Sequence, residues 1–162
     1  MPSVIFHVRG KKFQSEAELA KTSLNAYDIH HIGDVVKRKR GDFKFQDSGF
    51  SVDIGPKKNE DLAAQIKVAI KFVKKHFAVI KRIKNADDLR LNFGYRMRFA
   101  KDGEPFWVQC NTLPPEFLKM CGELKIEIEL SFYYFSDVDR LISHYVRKFK
   151  LKRQTPKRAA KK

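Results

Sequence analysis

Between Asp61 and about Asn85, the apolar residues Leu62, Ile66, Ala69, Ile70, Val73, Phe77 and Ile80 recur every three or four positions. Phe72, Val79 and Ile83 widen the same side of the wheel at 100° per residue. That period predicts one long amphipathic helix, and an apolar stripe so wide needs a broad partner, most simply the face of a sheet. The opposite side collects Lys67, Lys71, Lys74, Lys75, Lys81 and Arg82. No Asp or Glu occurs between Leu62 and Ala86. Exposed helices ordinarily mix both signs, so a purely cationic face points to an anionic partner.

The segments around this helix carry the two-residue period of strands. Val4 to Val8 is short and β-rich, closed by Gly10; Phe50 to Ile54 alternates and stops at Gly55-Pro56. Leu89 to Arg98 alternates apolar and polar, and so does Lys125 to Phe132, as strands covered on one face do. Ile29 to Val36 reads as a strand interrupted by Gly33, while Asp42 to Phe45 is ambiguous. Ser15 with Glu16 and Glu18 predicts a short helix, Ser15 as its N-cap, ending near Ser23. Pro114-Pro115-Glu116 opens another, with Phe117, Leu118 and Cys121 facing inward. Asp102-Gly103 marks a turn into a hairpin strand, Phe106 to Gln109. A last helix starts at Ser136-Asp137, carrying Leu141, Ile142, Tyr145, Val146 and Phe149 along one side.

The expected fold is α+β: a two-layer sandwich with a mainly antiparallel sheet. Its first six elements match a ferredoxin-like β-α-β-β-α-β unit, extended by β-α-β and then by the C-terminal helix and a basic tail. A single domain over 1–146 and a basic extension over 147–162 follow. Hydrophobic residues at 43%, with 14 Phe, supply a core and argue against a wholly disordered chain. No apolar run approaches the roughly 18 residues of a membrane span. The first residues lack the basic and apolar regions of a signal peptide, and Cys110 and Cys121 read as free thiols. A cytoplasmic location is the default.

Ile32-Gly33-Asp34, Ser48-Gly49-Phe50, the long helix from Asp61, and Leu113-Pro114-Pro115-Glu116-Phe117-Leu118 leading into Ile126-Glu127-Ile128-Glu129-Leu130 together resemble a bacterial family, domain of unknown function 4279. The resemblance spans about Val4 to Phe135. It implies an α+β fold and no activity, since none is established for that family. The basic helix and the tail look like additions of this member.

Charge supplies the functional candidates. Arg147 to Lys162 holds nine Lys or Arg and no acid, whereas the 146 residues before it carry 25 basic and 19 acidic side chains, against a total net charge of +15. Arg147, Lys148, Lys150, Lys152, Arg153, Lys157 and Arg158 of this tail suit a phosphate-tracking arm. The helical row suits fixed backbone contacts at steps of about 5–6 Å. A third cluster, Lys37-Arg38-Lys39-Arg40, suits a phosphate-gripping loop. Phe43, Phe45, Tyr95, Phe99, Phe106 and Trp107 lie near basic residues and are candidates for base stacking, though core packing is the commoner role of an aromatic. His30-His31 with Asp34 is the nearest approach to a catalytic constellation. Strand alternation would part the two imidazoles and side Asp34 with His30. No zinc spacing, nucleotide loop or other cofactor motif occurs, so neither a cofactor nor a metal is expected.

The expected function is therefore non-enzymatic binding of DNA or RNA through backbone phosphates, with little sequence specificity. The alternative is a protein-interaction module, an immunity or accessory factor that binds an acidic protein. An anionic membrane surface would read the same tail charge. The sequence does not set the oligomeric state.

Overall fold

In the N-terminal segment Val4, Phe6 and Val8 alternate with Ile5, His7 and Arg9, and a strand's period sends the two sets to opposite faces. The computed structural model describes residues 3–39, 41–55, 61–96 and 112–133. Its elements are β1 (Val4–Gly10), α1 (Ser15–Leu19), β2 (Asp28–His30), β3 (Val35–Val36), β4 (Phe43–Lys44), β5 (Ser48–Asp53), α2 (Leu62–Ile80), β6 (Asp88–Arg96), α3 (Pro115–Glu123) and β7 (Ile126–Tyr133). The chain divides into two compact units, Met1–Tyr95 with Asn111–Ser131, and Arg96–Cys110 with Phe132–Lys162. The three helices among the described residues belong to the first. The expected hairpin at Asp102-Gly103, the helix from Ser136 and the tail lie outside the described residues.

Five strands form one sheet in the order β2-β5-β1-β6-β7. β1 sits at its centre, antiparallel to both β5 and β6, with Phe6 opposite Val52 on one side and Leu91 on the other. β2 pairs antiparallel with the far edge of β5. The first four strands thus interleave: β5 lies between β1 and β2, and β1 lies between β5 and β6, as a split βαβ arrangement requires. β7 extends the sheet beside β6. The contacts Arg90–Glu129 and Asn92–Ser131 advance together along these two strands, the sense of a parallel pair joined by a helical crossover.

One face of the sheet carries the core. Phe13, just before α1, packs against Phe50 with centroids 5.8 Å apart, Phe72 of α2 meets Phe6 at 5.5 Å, and Phe117 of α3 stands edge-on to Phe93 at 6.2 Å. The periodic residues of α2 do the packing: Leu62, Ile66, Ala69, Val73 and Ile80 are buried. The stripe also takes in two polar residues, Gln65 and His76. Gln65 Nε2 donates to the Gly94 carbonyl at 2.6 Å, which ties the helix to β6.

Four expectations change in three dimensions. The segment Ile29 to Val36 is two strands in two sheets, because Gly33 adopts a left-handed φ of 93° that no continuous strand accommodates. Ser15 does not cap α1; it is the first helical residue, and its buried Oγ donates to the His30 carbonyl at 3.3 Å. Leu118 is 46% exposed, since the stripe of α3 runs through Phe117 and Cys121 and leaves the next position outside. α2 stops at Ile80, where Arg82 N–H to Val79 O and Ile83 N–H to Ile80 O tighten the chain into turns.

Candidate functional site

The long helix begins where Asp61 accepts a hydrogen bond from the Ala63 N–H at 3.2 Å, a side-chain N-cap. Its 19 residues span about 28 Å at 1.5 Å rise per residue. With one side held against the sheet, Lys67, Lys71, Lys74 and Lys75 are exposed on the other. Among the described residues only Lys74 of these four has a carboxylate within ion-pair reach, Glu116 of α3 at 4.0 Å. At that distance, between two exposed groups, the pair neutralises little.

Lys81 and Arg82 stand beyond the end of α2 and play a mixed role. Arg82 Nε donates to the Ala78 carbonyl at 3.0 Å, and the Lys81 ammonium lies 6.0 Å from the Phe77 ring. Cations at a helix C-terminus offset its partial negative charge, so part of their work is structural. They also border a cleft of about 700 Å³ in which Lys21 and Lys84 join them around Glu18. Glu18 is already committed, to Lys21 at 2.6 Å and to the Lys84 N–H at 3.3 Å. The Lys21 interaction, a side-chain hydrogen bond, holds its carboxyl below the ordinary range. Lys21 and Lys84 were not legible as site residues: Lys21 follows Glu18 by three positions and looks locally neutral, and only folding brings it to Arg82.

Lys37, Arg38 and Lys39 are exposed where the β3–β4 ribbon turns, separate in sequence from α2. The Arg38 guanidinium carbon lies 4.8 Å above the Phe43 ring. Arg40 lies outside the described residues, as do Arg147, Lys148, Lys150, Lys152, Arg153, Lys157 and Arg158. Among the aromatic candidates, Phe43 is exposed, Phe45 stacks on His30 at 4.0 Å, and Tyr95 packs against the core. Phe99, Phe106 and Trp107 fall outside the described residues.

The His30, His31 and Asp34 constellation does not assemble. His30 is buried, its Nε2 3.3 Å from Asp47 Oδ1. His31 points to solvent, with Nε2 2.7 Å from Glu16 Oε1. Asp34 sides with His31 rather than His30: its carboxylate accepts the His31 N–H at 2.7 Å and lies 3.4 Å from Nδ1. The reason is local, because residues 31–34 form a turn and strand parity does not apply there. The hydrogen bond that His31 donates to the Glu16 carboxylate raises the pKa of His31. The Cys121 thiol is buried and pushed up to about 11 by desolvation, which leaves it little thiolate.

The sheet face opposite the helices carries a polar network that the sequence shows only as alternation. His7 Nδ1 and Ser51 Oγ share a 2.9 Å hydrogen bond across β1 and β5. Arg90 binds Glu129 at 2.8 Å and Asp88 at 3.0 Å, with Glu127 at 3.4 Å. Asn92 donates to Ser131, which donates to Glu129. Burial, and then Arg9 and Arg90, lower the pKa of His7. Arg90 is met by three carboxylates, so its charge is already engaged, in contrast with the lysines of α2. Among the described residues no group of three His, Cys, Asp or Glu side chains is placed to hold a metal ion, and no helix is long and apolar enough to cross a membrane.

Comparison with known proteins gives one match and two blanks. No curated protein and no solved structure matches the chain. The family described as domain of unknown function (DUF4279) matches residues 2–135, from before β1 to just past β7. The strand alternation, the long helix and the proline-opened α3 all lie within that span, and the chain belongs to this family.

Proposed function

We propose that this protein is a non-enzymatic nucleic-acid-binding protein that contacts backbone phosphates with little sequence specificity. One observation carries the reading: Lys67, Lys71, Lys74 and Lys75 are exposed along a helix anchored to the sheet, and among the described residues a single carboxylate comes within 4.0 Å of one of them. Cations held on a rigid element keep their spacing when they meet a regular polyanion, and each phosphate they neutralise releases counterions. Lys21, Lys81, Arg82 and Lys84 continue the positive field around the end of the helix. The sequence carries no recognisable base-reading motif, so affinity should depend on charge rather than on base sequence.

Fluorescence anisotropy with labelled single-stranded RNA and duplex DNA tests this. If some six phosphates are neutralised, affinity for duplex falls about a thousandfold between about 50 and 200 mM salt. Replacing Lys67, Lys71, Lys74 and Lys75 by Ala lowers the slope of log affinity against log salt by about 3 to 4. No binding at low salt, or an unchanged slope in the variant, overturns the proposal.

A further inference from the structure

The cations of α2 leave a second surface feature unexplained. Among the described residues eight large hydrophobic side chains are exposed, and six of them fall between Tyr27 and Phe43: Tyr27, Ile29, Ile32, Val35, Val36 and Phe43. Scattered apolar residues on a surface are ordinary, but a concentration on one edge of the fold marks a surface that something covers.

The geometry holds these side chains out. β2 is a terminal strand of the five-stranded sheet, and β3 and β4 form a separate two-stranded ribbon. An isolated two-stranded ribbon is marginal in water, so this one needs anchoring. Phe45 supplies it by stacking on the buried His30 with centroids 4.0 Å apart, while its backbone N–H and carbonyl pair with Asp34 O and Gly33 N. From that root the register places Val36 opposite Phe43 on one face and Val35 opposite Lys44 on the other. Both faces stay open: Val35 is 55% and Phe43 42% exposed, and Ile32 beside them is 56% exposed. The ribbon is fixed at its base and apolar where it meets solvent.

Charge identifies the occupant. Lys37, Arg38, Lys39 and Lys44 cluster on the ribbon beside Val35, Val36 and Phe43, whereas the nearby carboxylates are Asp34, engaged by the His31 N–H, Asp42, and at its root Asp28 on β2 and Asp47 beside His30. A nucleic acid would satisfy the cations and Phe43, but the aliphatic Ile32, Val35 and Val36 offer no ring for bases to stack on. A polypeptide with carboxylates beside apolar side chains satisfies both sets, and the terminal strand β2 offers it an edge for strand addition. We propose that β2 and the β3–β4 ribbon form a docking surface for an acidic, apolar-bearing segment of a partner protein. This surface is independent of nucleic-acid binding by α2.

The test uses the full-length protein and two fluorescein-labelled peptides of about twelve residues, one alternating Glu and Leu, the other alternating Glu and Ser. The Glu/Leu peptide binds at least about tenfold more tightly than the Glu/Ser peptide, because only the former covers the apolar side chains. V35S/F43S lowers Glu/Leu affinity by about tenfold, and K37E/R38E lowers it and weakens its salt dependence. Both pairs are exposed, and far-UV circular dichroism with a thermal melt verifies that each variant is folded. The α2 variant lacking Lys67, Lys71, Lys74 and Lys75 retains peptide binding within about twofold. Amide shifts of wild-type protein, confined to residues 27–47 on adding the Glu/Leu peptide, locate the contact without any variant. Equal affinity for the two peptides, unchanged affinity in V35S/F43S, or shifts elsewhere overturn the proposal. So does loss of RNA binding in V35S/F43S with peptide binding intact, which would make the ribbon a base-stacking platform.

Discussion

At the scale of single residues, the adjacent pair His30 and His31 shows how far environment outweighs identity. His30 is enclosed between Phe45 and Asp47, whereas His31 bridges Glu16 and Asp34 in solvent. The hydrogen bond with Glu16 raises the pKa of His31 and that with His31 lowers the pKa of Glu16, so the pair stabilises the fold while both are charged. The His31 share is fully present below its unfolded value of 6.5 and is lost as pH rises through the raised folded value. The Glu16 share is present above 4.5 and is lost as pH falls through the lowered value. The urea midpoint of H31Q should therefore fall below that of wild type by more at about pH 5.5 than at about pH 8.5. Equal differences at both pH values would show that the ion pair adds nothing. His7 runs in the opposite direction, since burial lowers its pKa and its neutral form is favoured; its contribution is lost as pH falls below 6.5. The surroundings of these three imidazoles were not legible in the sequence, because Glu16, Asp47 and Ser51 reach them through the fold.

At the scale of elements, the helices separate what periodicity reveals from what it leaves open. The apolar stripe of α2 is readable because burial repeats with the helix's own period, and Leu62, Ile66, Ala69, Val73 and Ile80 all face the sheet. α3 is too short to define a stripe as well, and Phe117 and Leu118 are equally apolar neighbours about 100° apart. The structure buries Phe117 against Phe93 and exposes Leu118. Phe117→Ala should cost roughly 3–5 kcal/mol of unfolding free energy, through lost burial and a cavity. Leu118→Ala should stay within about 0.5 kcal/mol. Urea denaturation of both variants checks this, and comparable losses would reverse the assignment. The strands behave alike: β6 and β7 alternate visibly, whereas the split of Ile29–Val36 into β2 and β3 depends on the turn through Gly33 and Asp34.

At the scale of the whole molecule, charge is distributed as a nearly ordinary body with a cationic helix face, followed by a tail of nine cations in sixteen residues. If the tail shares in nucleic-acid binding, replacing Lys152, Arg153, Lys157 and Arg158 by Gln should lower the salt slope by up to about 4, additively with the α2 substitutions. A slope unchanged by the tail substitutions and reduced by those in α2 would confine binding to the helix. The local alternation of β1, β6 and β7, the amphipathic period of α2 and the asymmetry of charge were determined by the sequence alone, because each is written in residues close together in the chain. The sheet order β2-β5-β1-β6-β7, the convergence of Lys21 and Lys84 on Arg82, and the gathering of exposed apolar side chains on one edge were decided only by tertiary structure. The physical reason is that a strand's pattern specifies which face it buries but not its neighbour. The neighbour is chosen by the combined fit of all strands and helices around one core, where Phe6 meets Val52, Leu91 and Phe72 together.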